Sequence, residues 1–136
     1  MRTTTKINAR VGREKYTTEL TTREHKWLAD EPGSNGGRDV GPTSKELIAS
    51  SLAACIAITL RMYADRKGWD VEGIEVDVAV QSIQIGEGKM TRFDAEIEIS
   101  GQLTEKEKDR MRVIAGKCPI HKLLTHPIEI NTVLRP

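Results

Sequence analysis

The sequence over residues 43–68, TSKELIASSLAACIAITLRMYADRKG, decides the fold because it predicts one long helix. Thr43 and Glu46 form the T-x-x-E pattern of a capping box at the start, and Gly68 tolerates the left-handed conformation that ends many helices. Apolar side chains recur at helical spacing between them and leave hardly any polar face in the middle. We therefore expect a helix from about Ser44 to Lys67 that is enclosed on all sides.

The apolar middle of this helix predicts a second subunit rather than a membrane span. Residues 52–58, LAACIAI, form the longest strictly apolar run, which is far shorter than the roughly 20 residues that cross a bilayer. The first residues, MRTTT, lack the apolar core of a signal peptide, so we expect a cytoplasmic protein with no membrane partner. A chain of 136 residues can hardly cover every side of such a helix. We therefore expect a homodimer.

The segments around the long helix predict an α+β fold with antiparallel hairpins. Alternating apolar residues predict strands, and a second T-x-x-E pattern at Thr104 predicts the start of another helix. The apolar phase changes after Val80, which predicts a bulge there. The predicted order is strands at residues 7–11, 16–22 and 25–30, a loop at 31–39, the long helix, strands at 71–85 and 93–99, helices at 104–116 and 119–125, and a last strand at 128–134.

Length and composition exclude several kinds of protein. The chain fits a single domain over residues 1–136 whose core needs no crosslink. Lys and Arg total 21 and Asp and Glu total 20, so no positive field attracts nucleic acid. No glycine-rich phosphate loop occurs, so we expect no nucleotide cofactor. Cys118, His121 and His126 lack the paired spacing of metal ligands, so we also expect no metal.

The chain has two cysteines, and their positions invite thiol chemistry. Cys118 precedes Pro119, which fits the first position of a short helix, so helix amides near the sulfur would favour its thiolate. Cys55 lies in the apolar middle of the long helix, where burial raises the pKa of a thiol. Local electrostatics alone therefore make Cys118 the thiol with the lower pKa. If the two sulfurs meet, one can attack an oxidant and the other can condense with the resulting sulfenic acid.

Three stretches carry a resemblance to a known family. They are residues 41–55, GPTSKELIASSLAAC, residues 61–64, RMYA, and residues 118–121, CPIH. A helix-borne cysteine followed by a distant Cys-Pro resembles the OsmC/Ohr family of thiol-dependent peroxidases, and the likeness covers nearly the whole chain. The resemblance implies an OsmC-like fold, in which antiparallel sheets surround a long central helix in an intertwined homodimer.

The resemblance also implies roles for both cysteines, and these roles reverse the assignment made from local electrostatics. Cys55 becomes the peroxidatic cysteine and Cys118 the resolving one. The implied substrate is an organic hydroperoxide, and the implied reductant is an external dithiol that reduces a Cys55–Cys118 disulfide. Two other functions stay open from the residues alone. One is a module of the same fold that binds a small ligand, and the other is a thiol redox sensor without peroxidase turnover.

The resemblance further implies an arginine and a glutamate beside the reactive thiol. In the family, an arginine from the first hairpin activates the thiolate, and a glutamate near the start of the central helix holds that arginine. Arg13 matches the arginine best, with Arg10 and Arg38 as alternatives. The family's Pro-Glu pair reads Ser44-Lys45 here, so the candidate glutamate is Glu46, one residue later. One residue turns a helix by about 100°, so a purely capping role for Glu46 is the competing interpretation.

Overall fold

The computed structural model describes residues 4–136, which form the predicted α+β fold with two antiparallel sheets. The chain divides into two compact units, the first ending at Ile48 and the second beginning at Ala49. A single domain over residues 1–136 stays a prediction. The elements are β1 (Asn8–Val11), β2 (Thr18–Thr22), β3 (His25–Ala29), a short 3-10 helix (Gly33–Asn35), α1 (Ser44–Lys67), β4 (Asp70–Ile85), β5 (Gly88–Gln102), α2 (Glu105–Ala115) and α3 (Pro119–Thr125).

The first unit contains a three-stranded antiparallel sheet in the order β1-β2-β3. Leu20 of β2 lies opposite Trp27 of β3, and β1 pairs with β2 on the other side, so the predicted hairpin and third strand are confirmed. Threonines dominate β2, and β-branched residues of this kind favour a half-covered strand. The loop over residues 30–42 then leads to α1, and it closes where the Asp30 amide donates to the Pro42 carbonyl at 3.0 Å.

Helix α1 begins and ends at its predicted capping residues. The amide of Thr43 donates to Glu46 Oε1 at 2.8 Å, and the amide of Glu46 donates to Thr43 Oγ1 at 3.1 Å, which completes the capping box. At the other end, Gly68 has a φ of 69°, and the amide of Trp69 donates to the carbonyl of Ala64 at 3.0 Å. This Schellman arrangement satisfies a carbonyl that the helix end would otherwise leave without a partner.

One face of α1 forms the centre of the core in the second unit. The buried residues of this helix are Leu52, Ile56, Leu60, Tyr63 and Ala64. The rest of the buried cluster comes from β4, α2 and the residue before α3, and it consists of Val71, Met111, Ile114, Ala115 and Cys118. The opposite face of α1 is open, because Ile58 is 54% exposed and Met62 is 64% exposed. The single chain therefore does not enclose α1 on all sides.

Helix α1 is long and apolar enough to cross a membrane, judged by length and composition alone. Its buried face instead packs into the cluster with Met111 and Ile114 of α2. One face of α1 therefore belongs to the core of the second unit. The absence of a membrane partner stays a prediction.

The hairpin of β4 and β5 is regular where the sequence predicts a bulge. Ser82 pairs with Thr91 in unbroken register, so the bulge predicted after Val80 is wrong. The irregularity in register lies at Val71 and Gly73, near the start of β4. The alternation of apolar residues changes phase near the tip because the residues there are largely exposed, and no core selects one face for them.

The prediction of a last strand at residues 128–134 is wrong for the single chain. Residues 126–136 have no helix or strand, and Ile130 and Leu134 are 83% and 96% exposed. A strand forms only when its backbone groups pair with a neighbour, and no strand among residues 4–136 pairs with this segment. The alternating sequence is suited to a strand but lacks a partner within the described chain.

Leu60→Ala tests the core that α1 organises. Leu60 has no exposed surface, so truncation leaves a cavity inside the cluster. We expect the free energy of unfolding to fall by about 2–5 kcal/mol, as for other buried leucines. Urea denaturation followed by circular dichroism measures the change. Leu123→Ala, at a position that is 55% exposed, is the matched control, and an equal loss for both variants would contradict this assignment of the core.

Candidate functional site

The fold brings the two cysteines into contact, although they are 63 residues apart in the sequence. Cys55 lies on α1 beside the core and is partly exposed, whereas Cys118 is fully buried. Both cysteines are free, and they lie close enough together for Cys55 to raise the pKa of the Cys118 thiol. The pair therefore combines a partly exposed cysteine with a fully buried one.

Helix α3 fixes the position of Cys118. Pro119 occupies the first turn of the helix, where its missing N–H costs nothing, and Cys118 is the N-cap, as the sequence predicts. Its Sγ accepts a hydrogen bond from the amide of His121 at 3.2 Å. Sulfur thus takes the place that a serine or aspartate oxygen usually has at a helix start.

The environment raises the pKa of the Cys118 thiol, which contradicts the prediction from local electrostatics. Burial raises this pKa most, and the hydrogen bond to Cys55 and the negative charge of its thiolate raise it as well. The amides of His121 and Ile120 lower the pKa, but they do not outweigh the other effects. Cys118 is therefore held in its protonated form in the resting pair.

The three candidate arginines all lie in the first unit. Arg13 is exposed in the turn between β1 and β2, and Arg10 is exposed on β1. Arg38 forms an ion pair with Glu14. Cys55 belongs to the second unit, so an arginine beside its sulfur stays a prediction.

Glu46 has the capping role that the sequence offers as the alternative to a catalytic role. Its carboxylate accepts the amide of Thr43, and its own amide donates to the Thr43 hydroxyl, so the predicted capping box is confirmed. The carboxylate thus satisfies a backbone donor at the start of α1. Its part in the thiol site stays a prediction.

Metal-binding side chains do not cluster in the part of the chain that the structure describes. Among residues 4–136, no group of three or more His, Cys, Asp or Glu residues is arranged to hold a metal ion. His121 contacts the Cys118 sulfur through its backbone amide. The chemistry that this arrangement supports directly is that of two adjacent thiols.

Asp30 is a buried carboxylate that no sequence pattern singles out above. Its Oδ1 accepts the amides of Glu31 and Tyr16 at 2.7 and 3.3 Å. Its Oδ2 accepts the Thr17 hydroxyl at 2.9 Å and the Val40 amide at 3.4 Å. Burial disfavours the charged form, but these four hydrogen bonds outweigh burial and lower the pKa of Asp30. One feature of the sequence does indicate this role, because Asp30 directly precedes a glycine-rich loop. Aspartate side chains at such positions often accept hydrogen bonds from backbone amides.

The fold and the two thiols together define a class of protein. It is an α+β protein in which a partly exposed cysteine on the central helix contacts a buried cysteine at the start of a later helix. The family model described as OsmC-like protein matches residues 34–133, a range that crosses the boundary between the two units. The chain therefore belongs to the OsmC-like family, as the resemblance predicts. No curated protein sequence matches it significantly.

Solved structures share this fold at low sequence identity. An OsmC-like protein from Mycoplasma pneumoniae is 19% identical with a TM-score of 0.75, over 91% of this chain and 89% of that chain. An OsmC-like protein of unknown function from Vibrio cholerae is 12% identical with a TM-score of 0.74, over 91% and 95%. An organic hydroperoxide resistance protein from Elizabethkingia anophelis is 20% identical with a TM-score of 0.68, over 95% and 93%. At these identities the likeness shows the fold alone.

Asp30→Asn tests the buried carboxylate through its pH dependence. Because folding lowers the pKa of Asp30, its ionised form stabilises the protein above the usual aspartate range, and this contribution is lost as the pH falls through the folded pKa. We expect the wild type to melt at a higher temperature than the variant at neutral pH, and the gap to close below about pH 4. Thermal unfolding across this pH range measures the gap.

The matched control for this experiment is Asp77→Asn, which removes an exposed carboxylate on β4. The control variant should melt close to the wild type at every pH. A gap between wild type and Asp30→Asn that does not change with pH would contradict the assignment of Asp30 as an ionised, hydrogen-bonded group.

Proposed function

We propose that this protein is a cysteine-based peroxidase that reduces organic hydroperoxides. The observation that carries the proposal is the contact between a partly exposed Cys55 and a buried, protonated Cys118. Membership of the OsmC-like family supports it, as does the fold shared with an organic hydroperoxide resistance protein. The reaction as proposed uses sulfur alone as its redox centre.

The proposed cycle begins at Cys55. Its thiolate attacks one oxygen of the peroxide, the O–O bond breaks, and the alcohol leaves with a proton, so that Cys55 becomes a sulfenic acid. The sulfur of Cys118 then attacks the sulfur of Cys55, a disulfide forms and water leaves. An external dithiol reduces this disulfide in two exchange steps and is itself oxidised. Because Cys118 has no exposed surface, the external thiol attacks the Cys55 sulfur first.

The coupling between the two thiols sets the order of these steps. A negative charge on Cys55 raises the pKa of Cys118, so Cys118 stays protonated and stabilises the thiolate while the peroxide is attacked. Oxidation to sulfenic acid removes that charge and with it one of the causes that raise the pKa of Cys118, while burial, the largest cause, remains. The amides of His121 and Ile120 then favour the charged sulfur. The first step of the reaction therefore removes one obstacle to ionisation of the resolving thiol.

Arg13 is the arginine that we propose for the activation of Cys55. A guanidinium stays positive at physiological pH and offers several donors to a thiolate and to the leaving oxygen. Arg13 is preferred to Arg38 because Arg38 already pairs with Glu14. Glu46 caps α1, so the proposal does not depend on Glu46 to hold the arginine.

We also propose that the protein acts as a homodimer in the cytoplasm. One chain leaves Ile58 and Met62 exposed on α1, and it leaves Ile130 and Leu134 exposed near the C-terminus. A second copy that covers these apolar residues removes them from water and offers a neighbour to the alternating segment 128–134. The reducing cytoplasm keeps both cysteines as thiols between catalytic cycles.

Single cysteine variants test the order of thiol chemistry. In Cys118→Ser, peroxide should leave a sulfenic acid on Cys55, because no intramolecular thiol remains to condense with it. Cys55→Ser should resist the same peroxide treatment and consume no peroxide in the presence of a dithiol. Dimedone labelling followed by peptide mass spectrometry locates the oxidised sulfur, and peroxide consumption with several dithiols measures turnover.

The other outcomes of this experiment separate the competing functions. Oxidation of Cys118 in Cys55→Ser at a rate near that of the wild type would reverse the roles of the two cysteines. A wild-type disulfide that forms without dithiol-dependent turnover would favour a redox sensor. If no protein forms an oxidised thiol, the peroxidase proposal fails and a module that binds a small ligand becomes the better explanation.

Sedimentation equilibrium at micromolar concentration tests the homodimer. We expect a mass of about twice 15.2 kDa for the wild type. Ile58→Lys puts a charge on the open face of α1 and should shift the mass towards the monomer, because burial of an unpaired charge costs several kcal/mol. Ile85→Lys, at a similarly exposed position on the β4–β5 hairpin, is the control and should stay dimeric. A monomeric wild type would contradict the proposal.

A further inference from the structure

The last turn of α1 carries a second cluster of functional groups, centred on the ring of Tyr63. The charged groups of Arg66, Lys67 and Arg110 lie 5.8, 5.6 and 5.9 Å from the centre of this ring. The ring is buried, and its hydroxyl oxygen accepts a hydrogen bond from Arg110 Nε at 3.1 Å. Trp69 packs edge-on against Tyr63 with the ring centres 5.5 Å apart. Three cations thus surround one aromatic pair.

A cavity of about 510 Å³ opens beside this aromatic pair, a volume that is usual for small-molecule sites. Lys106 and Arg112 of α2 add two further cations to its lining. Two carboxylates also line it. They belong to Glu107, which also accepts the amide of Thr104 at 2.9 Å in the cap of α2, and to Asp109. The cavity therefore has an aromatic wall and an excess of positive charge.

Glu107 and Asp109 neutralise the positive charges of this cavity only in part. Among residues 4–136, Lys67, Lys106 and Arg112 form no ion pair, and Arg110 donates only to the neutral Tyr63 hydroxyl. The hydrogen bond from Arg110 lowers the pKa of Tyr63, burial opposes this, and the neighbouring charges lower the pKa further. Like charges this close repel one another, so a bound anion would remove an unfavourable interaction.

We propose that this cavity binds a small aromatic carboxylate. Arg110 uses Nε for Tyr63 and keeps its terminal N–H groups for the carboxylate, which matches the forked geometry of a guanidinium. Lys67 supplies a second positive charge, and the aromatic body of the ligand packs on Trp69, which is half-buried. Tyr63 follows Cys55 by eight residues, about 12 Å along the helix, so the site is separate from the thiols and does not rest on the proposed peroxidase activity.

Titration of the folded protein with 2-naphthoate tests this site, with the two indole N–H signals observed by NMR. The signal of Trp69 should shift and saturate, whereas that of Trp27, which lies on β3 in the first unit, should not move. The neutral analogue 2-naphthamide tests the need for charge, and acetate tests the need for the aromatic body. We expect both to bind at least about 10-fold more weakly, because each lacks one of the two contacts.

Three variants complete the test. Arg110→Gln and Lys67→Gln should each weaken the affinity for 2-naphthoate several-fold. Because Lys67 is exposed, Lys67→Gln should keep the fold intact even if Arg110→Gln is less stable. Arg92→Gln, at an exposed arginine paired with Asp94 on β5, is the control and should bind like the wild type. The proposal is overturned if Trp69 shows no saturable shift, if 2-naphthamide binds equally well, or if Lys67→Gln binds like the wild type.

Discussion

The burial of one face of α1 against β4 and α2 holds the second unit together and also creates the thiol pair. Leu60 and Met111 are almost completely buried in this cluster, and Cys118 belongs to it as well. Helix α2 is followed by a tight link in which the amide of Lys117 donates to the carbonyl of Ile114 at 2.9 Å. Docking α2 on α1 therefore also delivers Cys118 to the surface of α1. The contact with Cys55 is a result of core packing, which no attraction between two thiols could produce alone.

The helices are predictable from the sequence because their ends are determined locally. Thr43 with Glu46, and Thr104 with Glu107, satisfy backbone donors within four residues, and both capping boxes form as the sequence indicates. Strands depend on pairing partners that the sequence alone does not identify. The alternation at residues 128–134 has the pattern of a strand. No neighbouring strand pairs with this segment in the described chain, so no strand forms there.

The properties of the candidate site also depend on both local and distant effects, and the sequence predicts only the local ones. The amide of His121 does donate to the Cys118 sulfur, so the local part of the electrostatics is correct. Burial and Cys55, which come from packing over long sequence separations, outweigh that amide and raise the pKa of Cys118. Asp30 shows the opposite balance, because its hydrogen bonds outweigh its burial, and the donors Tyr16, Thr17 and Val40 are also distant in the sequence. A residue's position in the sequence reveals the local donors but not how strongly the fold will desolvate it.

The cations around Tyr63 have two different physical origins. Arg66 and Lys67 lie in the last turn of α1, where positive side chains interact favourably with the helix dipole and need no ligand to explain them. That explanation does not extend to Lys106, which lies in the first turn of α2, where the dipole disfavours a cation. Arg110 lies in the middle of α2 and points its Nε at a hydroxyl that is already surrounded by positive charge. The helix dipole therefore does not account for Lys106 and Arg110, and an anion bound in the proposed site would interact favourably with both.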